Sequence, residues 1–197
     1  MSVFWPWFEA EAKPKLGIRD ETFAAMFHYL DGFKRPVKII ETGCMRKLGN
    51  WAGDGCSTLM FDRYVKDKGG RFCSVDIDRR AVELCESLIS TEVVNCDSVH
   101  WLREYASGSI DLLYLDSFDL DMVRPLRSQV HHINELLAAL PLIRPDTLVA
   151  VDDSPVVRNS IGRTVVGGKG ALVARYAEEA GATMIFGSYQ VAWTGIT

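Results

Sequence analysis

Acidic residues recur in this chain where short apolar runs end. Val37-Lys38-Ile39-Ile40 runs into Glu41-Thr42-Gly43, and RFCSVDI (71–77) carries Asp76. EVVN (92–95) leads to Asp97-Ser98, IDLLYL (110–115) to Asp116, and TLVAV (147–151) to Asp152-Asp153. Chance places an acid at two or three such ends; five indicate a site. A carboxylate at the second tip can accept bonds from both hydroxyls of a ribose. Asp116, Asp152 and Asp153 end neighbouring runs, and their carboxylates could converge on a hard divalent cation such as Mg²⁺, which prefers oxygen ligands. Such a cation lowers the pKa of a hydroxyl bound to it. Without one, clustered carboxylates raise each other's pKa. Three side chains nearby can accept a proton: Asp119, His131 and His132. A histidine titrates near neutral pH and suits that task. His132 also lies four residues before Leu136, as a core residue would, and His131 four before Glu135, as a solvated one would. His28 and His100 fall inside helical patterns away from the acidic ends and read as structural.

The acids are useful only if something brings them together. The apolar runs are β-branched and short, as strands are, and the segments between them have helical periodicity. Residues 21–33 place Phe23, Met26, Phe27 and Leu30 on one helical face, with Asp20 as cap and Gly32 as stop. STLMFDRYVKDK (57–68) follows Ser57 or Thr58 as cap and ends at Gly69-Gly70. RRAVELCESLIS (79–90), SVHWLREYA (98–106), QVHHINELLAAL (129–140) and KGALVARYAEEAG (169–181) read as further helices. Strand and helix alternate five times. This specifies an α/β, Rossmann-like, doubly wound sheet, in which ligands bind beyond the carboxyl ends of the strands. TMIF and YQVAWTGI, flanking Gly187-Ser188, add a C-terminal antiparallel β-hairpin, for seven strands, mostly parallel. No linker interrupts the pattern, so 1–197 reads as one domain: an N-terminal aromatic segment and helix (1–36) and a core (37–197). Residues 1–20 read as irregular, and Phe4, Trp5, Trp7 and Phe8 must be covered, by the domain itself, by a homodimer contact or as a substrate lid. SPVVRNSIGRTVVGGKG (154–170) reads as a flexible loop at the mouth of the site, where Arg158, Arg163 and Lys169 could meet an anionic substrate.

Composition narrows the classes. The chain has 197 residues, 48% of them apolar and 24% charged, with a formal net charge of -4. That balance suits an ordinary globule and argues against nucleic acid as a partner. No apolar run is long enough for a membrane span, and no secretory signal opens the chain. Five cysteines (Cys44, Cys56, Cys73, Cys85, Cys96) without CxxC spacing read as reduced thiols, which points to the cytoplasm.

The first loop, ETGCMRKLGNWAGDGCST, lacks the G-x-G-x-x-G of dinucleotide-binding folds, and Asp54 would sit poorly beside a pyrophosphate. S-adenosylmethionine has no phosphate and carries a sulfonium cation, which an acid-rich pocket suits better. The succession ETG, WAGDGCST, SVDID, NCDS, IDLLYLDSFD and VAVDD resembles the class I S-adenosylmethionine-dependent methyltransferases, over roughly residues 37 to 195. Within them it looks like small bacterial metal-dependent O-methyltransferases of the catechol and sugar type. The resemblance implies Glu41, Gly43 and Gly55 around the methionine portion, Asp76 at the ribose, and Asp97 or Ser98 near the adenine. Thr42, Ser57 and Asp116 complete the candidate cofactor contacts. It also implies a metal held by Asp116, Asp152 and Asp153. The lysine that catechol-type enzymes place after the strand-four acid is replaced here by Asp116-Ser117-Phe118-Asp119. The expected activity is methylation of a hydroxyl on a small molecule or sugar with a divalent cation. The alternatives are a metal-independent N- or O-methyltransferase and a non-catalytic nucleotide-binding module.

Overall fold

A computed structural model describes residues 2–53, 56–104 and 106–196. Its main sheet contains β1 (Lys38–Thr42), β2 (Arg71–Asp76), β3 (Glu92–Asn95), β4 (Leu112–Leu115), β5 (Leu148–Val151), β8 (Thr183–Gly187) and β9 (Val191–Thr194), in the order β3-β2-β1-β4-β5-β9-β8. β1 pairs in parallel with β2 and β4, β2 with β3, and β4 with β5. β9 joins β5 antiparallel, and β8 joins β9 antiparallel. This is the expected Rossmann-like sheet with its terminal hairpin. The strand order reverses between β1 and β4, so a crevice opens there at the carboxyl ends.

Period-two alternation in the central strands divides the core. Leu112 and Tyr114 face one apolar layer, and Leu113 and Leu115 the other. The first layer holds α2 (Asp20–Asp31) and α3 (Ser57–Lys68), and the second α5 (Ser98–Glu104), α6 (Leu126–Ala139) and α7 (Ala171–Glu179). α4 (Arg79–Leu88) sets Ala81, Val82 and Cys85 against Cys44, Met45 and Cys56, so it props the loop that follows β1.

Three expectations are corrected. Residues 4–19 are not irregular: α1 (Phe4–Trp7) continues through a π-helical turn and 3₁₀ turns to Arg19. The aromatic cluster packs onto the domain. Phe4 meets Phe27 and Tyr64 at ring-centroid distances of 4.5 and 5.0 Å. Such edge-on aromatic contacts favour helix over loop here because they bury large rings at little entropic cost. Second, neither Ser57 nor Thr58 caps α3. Cys56 occupies that position with φ 47°, and the two hydroxyls turn inward instead. Third, the mouth segment is not a loop throughout. β6 (Val156–Arg158) and β7 (Thr164–Val166) form a two-stranded antiparallel hairpin whose turn is held by Asn159 Oδ1, accepting from the backbone of Ile161 and Arg163. Among the described residues, no helix is long and apolar enough to cross a membrane. None of the five cysteines is in a disulfide.

Candidate active site

A cavity of about 500 Å³ lies over the carboxyl ends of β1, β2 and β4. That volume is in the range of small-molecule and cofactor sites. Of the candidate residues, Gly43, Ser57, Asp76, Asp97, Ser98, Asp116, Asp119, His131 and Asp153 line it; Glu41, Thr42, Asp152 and His132 do not. Gly55 lies outside the described residues. Among the described residues the wall has six carboxylates (Asp76, Asp78, Asp97, Asp116, Asp119, Asp153) against three cations (Arg19, Arg46, Lys169). The surplus favours a cationic ligand.

The loop after β1 is shaped from below. Glu41 is fully buried; its carboxylate accepts from Ser57 Oγ at 2.5 Å, Thr58 Oγ1 at 2.7 Å and Ser74 Oγ at 2.5 Å. Burial pushes its pKa up, and the three hydroxyls pull it back, leaving it at about 7. Glu41 is therefore a staple joining β1, β2 and α3 beneath the site. Gly43 has φ 84°, and a Cβ there would lie 2.5 Å from the carbonyl oxygen of Asp116. Only glycine lets the first loop pass this close to the tip of β4. Asp76 accepts from the backbone N–H groups of Cys44 at 2.9 Å and Asp78 at 2.7 Å, which ties the loop to the tip of β2. Each carboxylate oxygen keeps a second lone pair for a ligand hydroxyl.

Asp116, Asp152 and Asp153 do converge at the tips of β4 and β5, but around protein cations. Both oxygens of Asp152 accept from Arg19 Nε at 3.0 Å. Asp153 accepts from Arg19 Nη2 at 3.1 Å, from the Tyr189 hydroxyl at 2.5 Å and from Lys169 Nζ at 3.0 Å. Lys169 Nζ also lies 2.7 Å from Asp116 Oδ1. Lys169 is delivered by Gly168, whose φ is 57° and whose missing Cβ would lie 1.8 Å from the carbonyl oxygen of Asp153. Burial opposes the charge on Lys169 and Arg19, yet the facing carboxylates outweigh it and hold both pKa values above their ordinary range. Three acids share two cations. The surplus falls on Asp116, whose pKa is raised well above the ordinary value by burial, with Lys169 pulling back and Asp152 and Asp153 adding to it.

A divalent cation requires several oxygen lone pairs facing a common point. Here an ammonium and a guanidinium are seated among those oxygens, and Asp152 is 1% exposed. No group of three His, Cys, Asp or Glu residues among the described ones could hold a metal. The donor set does not fit Mg²⁺, and the expected metal centre is replaced by an ion-pair cluster. Lys169 and Arg19 also correct the reading of Lys169 as a mouth residue meeting an anion: its side chain is 2% exposed. Arg19 had no signal in the sequence beyond its position before the first helix.

The proton-accepting candidates separate clearly. Asp119 is on the rim, 73% exposed and paired with Arg46 at 2.9 Å. His132 is fully buried, with Nδ1 donating to the Ser128 carbonyl at 2.6 Å. Burial lowers its pKa. His131 faces the cavity beside Phe118, at a ring-centroid distance of 5.5 Å.

No protein-family model matches the chain, and no curated protein matches it. Solved structures do. A putative rRNA-methylase from Clostridium thermocellum superposes with a TM-score of 0.54 at 12% identity, over 87% of this chain and 94% of that one. A SAM-dependent methyltransferase from Bacteroides fragilis, in complex with S-adenosyl-L-homocysteine, has a TM-score of 0.46 at 15% identity, over 85% and 75%. The plantazolicin methyltransferase has 0.42 at 17%, over 76% of this chain, which spans just over half (56%) of that enzyme. The likeness to the C. thermocellum protein is one of fold.

Proposed function

We propose that the chain is an S-adenosylmethionine-dependent methyltransferase that methylates a hydroxyl of a small molecule without a metal ion. The observation that carries this is the cavity at the β1/β4 switch point, with six carboxylates in its wall, Gly43 at its floor and Asp76 at the tip of β2. A sulfonium cation and an amino-acid ammonium group fit that charge, whereas a pyrophosphate does not. Asp76 binds the ribose hydroxyls, and Asp97 and Ser98 border the adenine. The methionine portion lies along Gly43 and Ser57, with Glu41 and Thr42 supporting the loop from inside. Gly55 completes that loop. Asp116 lies where the methyl group meets the acceptor. The acid-rich wall, with the formal charge of -4, disfavours a polyanionic acceptor, although one fold neighbour is described as an rRNA-methylase.

Methyl transfer needs an acceptor held in line with the sulfonium and stripped of its proton. Here the side chains of the cavity wall orient it, in place of a metal. Two readouts test this. Labelled methyl transfer from S-adenosylmethionine to a panel of hydroxyl-bearing acceptors is expected to survive exhaustive chelation. Mn²⁺ added to the wild-type protein is expected to stay free by electron paramagnetic resonance. Chelator-sensitive transfer, or tight Mn²⁺ binding, would refute the metal-free mechanism while leaving the cofactor assignment standing.

A further inference from the structure

Beside the ion-pair cluster, a second polar group has no packing reason to be where it is. Glu135 is fully buried on α6, one turn after His131. Two hydroxyls donate to its Oε1, Ser98 Oγ at 2.5 Å and Ser117 Oγ at 2.7 Å, and His131 Nε2 lies 3.3 Å from the same oxygen. They come from the start of α5, from the segment after β4 and from α6 itself. Glu135 Oε2 is buried with no hydrogen-bond partner among the described residues. An apolar residue would fill the same space without that desolvation cost, so a carboxylate at this place calls for a role beyond packing.

The network settles which ring nitrogen of His131 holds the proton. The single Ser98 hydroxyl proton goes to the carboxylate, at 2.5 Å. Ser98 Oγ, 3.2 Å from His131 Nε2, is then an acceptor. Glu135 can only accept. Both neighbours of Nε2 therefore require an N–H there, and in the neutral ring the lone pair lies on Nδ1. The hydrogen bond to Glu135 raises the pKa of His131, against burial, with the charges of Glu135 and Asp97 adding to it. For Glu135, burial acts to raise the pKa, and the bond from His131, the charges of both histidines and the Ser98 hydroxyl outweigh it and hold it below the ordinary value. The titratable groups around His131 are Glu135 and His132 on its own helix and Asp97 before α5, with Lys169 acting on His132.

We propose that His131 is the group that takes the acceptor's proton, through Nδ1, and that Glu135 is its positioning residue, fixing the tautomer and steadying the imidazolium that forms. This rests on the methyltransferase reading. In the step, the acceptor's O–H proton passes to Nδ1 as its oxygen bonds the methyl carbon. The carbon–sulfur bond breaks with its electron pair going to sulfur. The products are a methyl ether, neutral S-adenosylhomocysteine and a His131 imidazolium, which later returns its proton to solvent. The same logic, a buried carboxylate holding one ring nitrogen so that the other can act as base, operates in acid–base dyads generally.

The test is side-chain NMR of the four histidines in the full chain, wild type and Glu135→Gln, across a pH series. In the wild type, His131 is expected as the Nε2–H tautomer, with a titration midpoint above that of an ordinary histidine. In Glu135→Gln the midpoint falls by about one unit, since removing an opposite charge at this distance favours the neutral ring. If Glu135→Gln does not fold, Ser98→Ala, which removes one acceptor of Nε2–H, is expected to shift the same midpoint in the same direction. An Nδ1–H tautomer in the wild type, or a His131 midpoint unmoved by the substitution, overturns the proposal. Adenosylhomocysteine binding to the wild-type protein, measured separately, reports on the methyltransferase reading itself.

Discussion

Replacing Lys169 with methionine is expected to destabilise the protein by about 3–5 kcal/mol at neutral pH, the cost of leaving buried charges without their partner. Lys169 Nζ bridges Asp116 at 2.7 Å and Asp153 at 3.0 Å, and its side chain is 2% exposed. Methionine keeps most of the volume and removes only the charge. Three carboxylates then face Arg19 alone. The loss should shrink as pH falls, because Asp116, already held well above the ordinary carboxylate range by burial, takes up a proton first and relieves the repulsion. Urea denaturation of wild type and Lys169→Met at several pH values measures this. The same variant should acquire affinity for Mn²⁺, since the ammonium no longer occupies the space between the oxygens. An equally stable, Mn²⁺-silent variant would show that Lys169 is not what holds these acids together.

Truncating Glu41 to alanine is expected to cost about 3 kcal/mol, by orphaning three buried hydroxyls and opening a cavity under the first loop. The pH dependence of this loss has a definite sign. The folded pKa of Glu41, at about 7, lies above the ordinary 4.5, because burial outweighs its three hydrogen bonds. Its contribution is therefore fully present below about 4.5 and is lost as pH rises through about 7. The difference in unfolding free energy between wild type and Glu41→Ala should narrow across that interval. A difference that widens with pH would mean that the carboxylate, not the acid, is the form the fold prefers.

The sheet was readable because its signal is local. Leu112–Leu115, apolar at every position, reads as a central parallel strand, and helical periodicity follows each of the first four strands. The acidic tips followed from the same registration, since a strand boundary and a nearby acid are visible together. What joins the tips was not readable. Arg19 reaches Asp152 across 133 positions in sequence, and Lys169 reaches Asp116 across 53. No periodicity announces such pairs, so the three acids looked like a metal site. Nor does Glu41 differ in the sequence from an acid that faces a ligand. Its three hydroxyl donors arrive from α3 and β2, and only the packed structure shows that they hold it beneath the site. The His131–Glu135 spacing was visible at one helical turn, but the same spacing also marks a solvated face. Ser98 and Ser117 decide between the two, and both lie on other elements.

The central claim is that S-adenosylmethionine occupies the crevice between the tips of β1, β2 and β4. Isothermal titration of S-adenosylhomocysteine into the wild-type protein and into Asp76→Ala tests it most directly. Asp76 holds the first loop through Cys44 N–H, lines the cavity and keeps lone pairs free there. Losing charge-assisted bonds to two hydroxyls is worth about 3 kcal/mol, or roughly a hundredfold in affinity. The account predicts saturable binding by the wild type and a loss of that order in Asp76→Ala. Absent binding by the wild type, or equal affinity in the two proteins, would contradict it.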